Sequence, residues 1–459
     1  MSTSQTTALD LGRPRRIHLV GIGGAGMSAI ATVLAAMGHR VTGSDLKASP
    51  IVDRLRPSGV EVAIGHDAAN LGDAEVVGIS TAIPPSNPEV SEAGRRGIPV
   101  LSRADVLSAI CAERRTIAVA GTHGKTTTSS MLTLILMEAG LRPSFVIGGE
   151  LNETGTGASW TDGEWFVVEA DESDGTFLRL PAEVAVVTSV EPDHLEHYGS
   201  FDALIEAFAD FLGRAATRIA FADGAVSADV ARRSGATTFG AAAGADYRMV
   251  DPRGERMGYR FGLVRGDQTV DIDLAVPGAH NALNAAAAAV TALELGIAAD
   301  VVARALSRFT GVARRFTFRG EAGGITFVDD YAHLPGEVVP VLEAASSGGW
   351  GRVVCVFQPH RYSRTAALWR DFAHSFDRAD LLVVTDVYGS GEAPRPGVSG
   401  KLIVDAVSEA NPGKRVVYLP GRESLVAFLR SELRSGDVCL TLGAGDLTSL
   451  PDELLGAMA

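Results

Sequence analysis

The sequence predicts an α/β protein of three domains, each built on a largely parallel sheet flanked by helices. Short apolar runs of strand length alternate with helical segments, and two of these runs lead into glycine-rich turns at Gly21–Gly26 and Gly121–Gly124. The alternation starts again near Gly320, and a chain of 459 residues is too long for one hydrophobic core. We place the domains at residues 1–112, 113–319 and 320–459.

Composition limits the partners and the compartment. The formal net charge of −14 argues against a general nucleic-acid or membrane-surface binder. Cys111, Cys355 and Cys439 are far apart and show no metal spacing, which indicates buried thiols in a reducing compartment. No apolar run resembles a signal peptide or could span a bilayer. We therefore expect a cytoplasmic monomer or weak homodimer with no nucleic-acid or membrane partner, and a disordered tail up to about residue 15.

The first domain is predicted from a strand, a glycine turn and a helix. The apolar residues Ile17–Val20 lead into Gly21-Ile-Gly-Gly-Ala-Gly26, and Met27–Met37 follows with helical periodicity. A second strand leads to Ser44-Asp45, about twenty residues further on, as in Rossmann-like dinucleotide-binding folds. The same turn can hold any diphosphate, so the ligand stays open at this point.

The second domain begins with the pattern of a phosphate-binding loop. The apolar strand Ile117–Ala120 runs into Gly121-Thr-His-Gly-Lys-Thr-Thr127 and then a helix. Backbone N–H groups, the helix N-terminus and Lys125 would attract phosphate, and the Thr126 hydroxyl would face Mg²⁺. The general pattern has a first glycine where this chain has Val119, so the loop is shorter. The alternative is an ordinary strand–turn–helix corner; we favour the loop because Lys125 is one of only four lysines in the chain.

Acidic and imidazole side chains follow two further strands of this domain. Glu169 ends one apolar run, and His194 follows another. A cation beside a phosphate loop must bridge protein ligands and nucleotide phosphates, so we predict Glu169 and then His194 as metal ligands. The alternative is a solvated acidic turn, which accounts for Glu172, Asp174 and Glu196.

The third domain is predicted to be a second doubly wound, Rossmann-like unit. Five strand-like runs alternate with helices, at residues 325–328, 352–357, 381–385, 415–419 and 438–442. Polar clusters follow these strands, and the pair Arg361 and Arg364 suits recognition of carboxylate or phosphate. Arg314-Arg315 precedes the domain, although such a pair is commonly a surface salt-bridge partner. An ATP site in one domain and anion-binding sites in the other two favour a ligase that activates a carboxylate by phosphorylation.

The chain resembles the Mur ligase family, and within it the branch that joins L-alanine to UDP-N-acetylmuramate in peptidoglycan synthesis. The resemblance covers nearly the whole chain. Its motifs are Gly21-Ile-Gly-Gly-Ala-Gly-Met27, Gly121-Thr-His-Gly-Lys-Thr-Thr127, Glu169-Ala-Asp-Glu-Ser-Asp174, Asp193-His194, His280-Asn281, Arg314-Arg315-Phe316, Asp329-Asp-Tyr-Ala-His333, Gln358-Pro-His-Arg-Tyr-Ser-Arg364 and Gly443-Ala-Gly445.

The resemblance implies a UDP-sugar-binding first domain, a P-loop-type ATPase second domain, and a third domain that contacts the amino acid and ATP. It implies ATP and Mg²⁺, which Mn²⁺ could replace. The implied ATP site comprises Gly121, Thr122, His123, Gly124, Lys125, Thr126, Thr127, Asn281 near the adenine, Arg315 at the γ-phosphate and Asp330 near the ribose. The implied UDP-substrate contacts are Gly23, Gly24, Gly26, Ser44, Asp45, Ser80, Thr81 and His360. Metal ligands would be Thr126, Glu169 and His194, and catalytic residues Lys125, His194, Arg315, Arg361 and Arg364.

Three other functions remain open. A recycling ligase that joins a preformed tripeptide to UDP-N-acetylmuramate shares most motifs. An NAD-dependent dehydrogenase could use the turn at Gly21–Gly26 but would leave the loop at Gly121 idle. A regulatory ATPase without ligase chemistry would leave the third-domain clusters without a purpose.

Asn281 could also simply cap its Ala-rich helix.

Overall fold

The computed structural model describes residues 9–458, except the side chain of Glu196. The chain divides into two compact units. Unit 1 contains the residues up to Met249 together with Leu263–Val270 and Asn284–Leu306. Unit 2 contains Val250–Gly262, Asp271–Leu283 and the residues from Ser307 onwards.

The first sheet lies in unit 1 and is entirely parallel, with strand order β3-β2-β1-β4-β5. Its strands are β1 (Arg16–Val20), β2 (Arg40–Asp45), β3 (Glu61–Ile64), β4 (Val76–Ile79) and β5 (Val100–Ser102). The helices are α1 (Ala25–Ala36), α2 (Pro50–Leu55), α3 (Pro88–Arg96) and α4 (Arg103–Ala112). The carboxyl ends of β1, β2 and β4 meet at one edge, which brings the glycine turn, Asp45 and Ser80 together.

The second sheet has the order β15-β14-β13-β12-β11-β10-β6-β9-β7-β8. Its strands are β6 (Arg115–Ala120), β7 (Ser144–Leu151), β8 (Thr156–Ser159), β9 (Trp165–Glu169), β10 (Val184–Val187), β11 (Thr217–Phe221), β12 (Thr237–Gly240), β13 (Tyr247–Glu255), β14 (Gly258–Arg265) and β15 (Gln268–Leu274). The helices are α5 (Lys125–Glu138), α6 (Leu195–Tyr198), α7 (Phe201–Arg214), α8 (Ala225–Ser234), α9 (Ala279–Glu294) and α10 (Ala299–Ser307). Strand β6 lies between β10 and β9, parallel to both, and α5 is buried from Thr126 to Leu136.

The third sheet lies in unit 2, with the order β16-β17-β21-β18-β19-β20. Its strands are β16 (Thr317–Ala322), β17 (Ile325–Asp330), β18 (Arg352–Phe357), β19 (Leu381–Val384), β20 (Val416–Tyr418) and β21 (Asp437–Leu442). The helices are α11 (Pro335–Ser347), α12 (Tyr362–Leu368), α13 (Lys401–Ala410), α14 (Arg422–Glu432) and α15 (Leu450–Met458). All pairs are parallel except β16 with β17.

The predicted α/β fold with three sheets is confirmed. Strand β16 crosses the predicted boundary between residues 319 and 320, because it is an antiparallel edge strand that pairs with β17. Residues 1–8 of the predicted tail lie outside the described residues. For residues 9–15 the tail prediction is wrong, since Leu11 is buried and Arg15 donates to Asp10. No helix within residues 9–458 combines the length and the apolar character that crossing a bilayer requires.

Candidate active site

The predicted phosphate-binding loop connects β6 to α5 through two glycines in left-handed conformations. Gly121 has a φ of 134° and Gly124 a φ of 81°, values that favour glycine. A Cβ on Gly121 would overlap Thr188, and one on Gly124 would overlap Oδ1 of Asn284. Helix α5 begins at Lys125 with no side chain capping its first turn. The backbone of the loop therefore packs closely against Thr188 and Asn284 and leads into a helix N-terminus with no capping side chain. Free backbone N–H groups at such a terminus can bind phosphate oxygens.

Lys125 is held inside this loop by a buried carboxylate. Its Nζ donates to Gly121 O at 2.7 Å and to Glu172 Oε1 at 2.7 Å, with Thr122 O at 3.5 Å. Burial opposes the charge of Lys125, but Glu172 and Glu169 outweigh burial and raise the pKa of Lys125. Glu172 is 1% exposed, so the expectation that it belongs to a solvated turn is wrong. Burial raises the pKa of Glu172, and Lys125 opposes that rise.

The predicted metal ligands are oriented by their own neighbours. One oxygen of Glu169 accepts from the backbone N–H of Gly148 at 2.8 Å. His194 has a φ of 52° at the start of α6, and its Nε2 lies 3.5 Å from Asp193 Oδ2. Thr126 is buried at the start of α5. Across residues 9–458, apart from the side chain of Glu196, no three His, Cys, Asp or Glu residues form a group able to hold a metal by themselves.

The turn in the first domain is closed by the ends of two neighbouring strands. Gly21 N and Ile22 N donate to Ser44 O at 2.9 and 3.0 Å, and Gly23 N donates to Asp45 Oδ2 at 2.8 Å. The Ser80 hydroxyl lies 3.1 Å from where a Cβ of Gly21 would be. Helix α1 follows Gly24 without a capping side chain. The turn, Asp45 and Ser80 are thus brought together, as the sequence predicts.

Ser44 takes a different role from the one predicted. It is 0% exposed, and its hydroxyl donates to Glu89 Oε2 at 2.6 Å, so the expected direct contact between this side chain and a substrate is corrected to a supporting contact. Glu89 also accepts from Asn70 Nδ2 at 2.6 Å and from Asp67 N at 3.2 Å. Burial acts to raise the pKa of Glu89, but the nearby His18 ring and the hydrogen bonds from Ser44 and Asn70 lower it to about 2. Thr81 is exposed beside this edge.

Arg103 was not selected from the sequence but lies against the first turn. Its Nη1 is 3.3 Å from the position that a Cβ of Gly26 would take, and its Nη2 donates to Asp174 at 3.0 Å and Asp171 at 3.4 Å. Asp174 is therefore ion-paired, which corrects its assignment to a solvated turn. The segment Asp171–Asp174 contacts Arg103 on one side and Lys125, through Glu172, on the other. Only the three-dimensional contact reveals Arg103, because nothing in its local sequence is distinctive.

In unit 2, Asp330 organises the segment that carries Arg315. The Asp330 carboxylate accepts from Phe316 N and Ala332 N at 2.7 Å each, and burial raises its pKa to about 6. Arg315 lies between Arg314 and Phe316, both with positive φ, and its guanidinium is 5.4 Å from the Tyr331 ring. Asn281 is buried and its Nδ2 donates to Pro277 O at 2.7 Å, which ties the first turn of α9 to the residues before it but does not cap the helix N–H groups.

His360, Arg361 and Arg364 cluster where β18 leads into α12. Arg364 Nη1 lies 3.0 Å from His360 Nδ1, and the His360 ring stacks on Tyr388 at 6.0 Å. Burial, His333 and both arginines lower the pKa of His360 to about 4, so its ring is neutral near pH 7. Arg361 has a φ of 67°, a strained conformation for a non-glycine residue, and its side chain is exposed. The cluster presents two cations and a neutral imidazole.

Family models match three consecutive segments of the chain. They are described as the catalytic domain of the Mur ligase family at residues 16–115, the Mur ligase middle domain at residues 119–292 and the Mur ligase glutamate ligase domain at residues 314–445. The chain belongs to the Mur ligase family.

Relatives of this Mur ligase match over nearly its whole length. A UDP-N-acetylmuramate–L-alanine ligase from Rubrobacter xylanophilus is 46% identical over 450 residues, which are 96% of this chain and 100% of the relative. The crystal structure of a UDP-N-acetylmuramate-alanine ligase from Thermotoga maritima matches with a TM-score of 0.83 and 29% identity, covering 96% of this chain and 99% of that one. A murein peptide ligase from Psychrobacter arcticus matches with a TM-score of 0.68 and 25% identity, covering 97% and 98%.

Proposed function

We propose that this Mur ligase joins L-alanine to the lactyl carboxylate of UDP-N-acetylmuramate, with conversion of ATP to ADP and phosphate, in peptidoglycan precursor synthesis. The observation that carries the proposal is the loop that holds Lys125 at the start of α5. It stands in a chain that is 46% identical to a UDP-N-acetylmuramate–L-alanine ligase. The recycling ligase is less well supported, because its solved neighbour gives a TM-score of 0.68 against 0.83. A dehydrogenase or a regulatory ATPase is not favoured by these relatives.

Lys125 and the open N-terminus of α5 would bind the ATP phosphates in the middle domain. The lactyl carboxylate would attack the γ-phosphorus, its new P–O bond replacing the bond to ADP. The amine of L-alanine would then attack the acyl-phosphate carbonyl, form the amide, lose a proton and expel phosphate. Lys125 lowers the barrier of the first step by compensating charge that moves onto the β–γ bridging oxygen. Gly121 to Thr127 supply the rest of the phosphate site.

Thr126 and Glu169 fit a magnesium ion bound together with ATP. A hydroxyl and a carboxylate are hard oxygen donors, and Mg²⁺ takes only one or two protein ligands when phosphates supply others. That explains why the described residues need no self-sufficient metal cluster. The ion would neutralise phosphate charge when bound, and Mn²⁺ could replace it. His194 stays a proposed ligand of a second cation.

The first domain would hold the UDP moiety through backbone donors. The helix N-terminus at Gly26 would stabilise a diphosphate without a lysine. Gly23 and Gly24 shape the turn, since their N–H groups donate to Asp45 Oδ2 and Gly21 O. Asp45, Ser80 and Thr81 stand at the same edge as candidate contacts to the uridine and sugar. His360, in unit 2, remains a proposed contact to the substrate.

The remaining roles in unit 2 are assigned by chemistry. Arg315 would reach the γ-phosphate, while Arg361 and Arg364 would orient the two substrate carboxylates with forked donors. Asn281 and Asp330 stay proposed contacts to adenine and ribose, although each is engaged with the backbone here. The limit between the first two domains at residue 112, and a monomer or weak homodimer, stay proposals. The predicted limit at residue 319 falls inside β16, so the third domain includes Thr317.

Phosphate release from ATP tests the proposed function. We expect release only when UDP-N-acetylmuramate and L-alanine are both present. Glycine and L-serine are each tested in place of L-alanine for comparison. The control replaces L-alanine with the murein tripeptide at equal concentration. Faster release with the tripeptide would establish the recycling reaction instead, and tight NAD binding would refute the assignment of the first domain.

A further inference from the structure

Glu172 is a buried carboxylate that the proposed mechanism does not use. Its Oε1 accepts from Lys125 Nζ at 2.7 Å, whereas its Oε2 is buried with no hydrogen-bond partner among the described residues. A buried carboxylate with one unpartnered oxygen is poorly satisfied, because bulk water does not reach that oxygen. Its environment therefore holds the carboxylate mainly through Lys125.

The donors of Lys125 are too few for all its partners. An ammonium has three N–H groups, and two of them make the 2.7 Å bonds to Gly121 O and Glu172. A phosphate-loop lysine reaches both the β- and the γ-phosphate. If Gly121 O is kept, those two phosphates take the remaining donors, and no donor is left for Glu172. With ADP only the β-phosphate needs a donor, so Glu172 can stay bound.

The backbone at Glu172 can remain in place during such an exchange. Its carbonyl accepts from the Tyr198 hydroxyl and from Gly175 N at 3.1 Å. Asp171 and Asp174 on either side are ion-paired with Arg103. Only rotation of the Glu172 side chain is therefore needed to break its bond with Lys125.

We propose that Glu172 is a positioning residue that occupies the Lys125 donor later used by the γ-phosphate. Lys125 exchanges Glu172 for the γ-phosphate when ATP binds, and returns to Glu172 once that phosphoryl group has been transferred. The carboxylate keeps the buried ammonium paired in the free protein and weakens ATP binding in return. This inference rests on the proposed binding of ATP phosphates by Lys125.

Binding of two nucleotides to Glu172→Gln tests the exchange. Calorimetry with excess Mg²⁺ compares a β,γ-imido analogue of ATP with ADP. Removing the competing carboxylate should tighten the analogue about tenfold, within the range typical of coupled equilibria, and ADP no more than about twofold. The melting temperature of the nucleotide-free variant should fall, because Lys125 loses its buried partner. Unchanged or weaker binding of the analogue, or an equal gain for ADP, would overturn the proposal.

Three further variants separate the explanations. Glu172→Asp keeps the charge but shortens the reach to Lys125 Nζ, so its affinity for the analogue should lie between those of the wild type and Glu172→Gln. It replaces Glu172→Gln in the test if that variant does not fold. Glu89→Gln removes a buried carboxylate whose two oxygens are satisfied, and should leave both nucleotide affinities within about twofold of wild type; a matching gain there would count against a specific exchange. If Lys125→Met binds the analogue as well as the wild type, the assignment of the loop to ATP fails. Loss of binding in Lys125→Met with no gain in Glu172→Gln refutes the exchange alone.

Discussion

The two glycine turns of unit 1 share one architecture but differ in the carboxylate behind them. Each turn connects a parallel strand to a helix whose first turn has no capping side chain. Behind the first turn, Glu89 accepts hydrogen bonds on both oxygens, from Ser44 on one and Asn70 on the other. Behind the second, Glu172 binds Lys125 with one oxygen and leaves the other unpartnered among the described residues.

This difference separates a structural carboxylate from one that can change partners. Any rearrangement of a fully satisfied group such as Glu89 breaks hydrogen bonds and costs free energy. Glu89 therefore stabilises one geometry of the turn. Glu172 has a single ion pair to give up, and a phosphate can take its place at the Lys125 ammonium. The cation beside the first turn, Arg103, is already paired with Asp171 and Asp174. The second turn has a lysine whose charge can be released to a ligand.

The largest expected effect is on turnover in Lys125→Ala. Phosphate release should fall by about a thousandfold, because the variant lacks the one charge that the loop aims at the transferred phosphoryl group. Steady-state assays with saturating UDP-N-acetylmuramate and L-alanine measure it. Lys125→Arg is the matched control: it keeps the charge but not the compact ammonium, and should remain impaired. Turnover within tenfold of wild type in Lys125→Ala would show that the loop does not perform the chemistry.

The next effect contrasts two glycine-to-alanine variants. In Gly124→Ala the new methyl overlaps Asn284 and the positive φ adds about 1–2 kcal/mol of strain, so ATP binding should weaken about a hundredfold or the fold should be lost. In Gly23→Ala the methyl would lie 2.8 Å from Asp45 Oδ2, so binding of the UDP-sugar should weaken about tenfold. Calorimetry with each ligand on each variant measures the four affinities. Equal loss of both ligands in a variant that still melts as a folded protein would break the separation between the turns.

A smaller effect concerns the metal. Gly148 has a backbone that alanine can adopt, but a methyl there would lie 2.8 Å from Glu169 Oε2. Gly148→Ala should therefore displace the carboxylate and raise the Mg²⁺ concentration needed for half-maximal activity about tenfold, the low end for a change beside a metal ligand. Activity should recover at high Mg²⁺. The Mg²⁺ requirement of the neighbouring Gly149→Ala variant is measured for comparison. An unchanged Mg²⁺ requirement in Gly148→Ala would argue against Glu169 as a ligand.

The smallest effect is the pH dependence of stability at the first turn. The pKa of Glu89 is lowered from 4.5 to about 2, so its contribution to the free energy of unfolding is present above pH 4.5 and is lost as the pH falls towards about 2. Between pH 4.5 and 3 the wild type should lose stability more steeply than Glu89→Gln. Urea denaturation at several pH values measures both slopes. Parallel slopes would mean that Glu89 is not the charged, satisfied group described here.

Much of this arrangement follows from local sequence pattern. Strand–turn–helix order places Lys125 at a helix start and Asp45 beside Gly23, because the carboxyl ends of parallel strands meet at one edge. The edge strand β16 was missed, since its antiparallel partner is set by tertiary pairing rather than by periodicity.

Long-range contacts were not predictable in the same way. Glu172 stands in an acidic run that suggests a solvated turn, and its partner Lys125 is 47 residues away. Arg103 and Asp174 are 71 residues apart. Burial of Ser44 depends on Glu89, which comes from α3. Such pairs require the packing of elements distant in sequence, which a single sequence does not reveal.

The most direct test of the central claim is the affinity of Lys125→Ala for UDP-N-acetylmuramate. If the two turns bind two different phosphate groups, removal of Lys125 should lower turnover about a thousandfold yet leave the dissociation constant for the UDP-sugar within about twofold of wild type. Isothermal titration of the folded variant without nucleotide gives that constant. Loss of UDP-sugar binding in this variant would contradict the account, because the second turn would then be part of the UDP site.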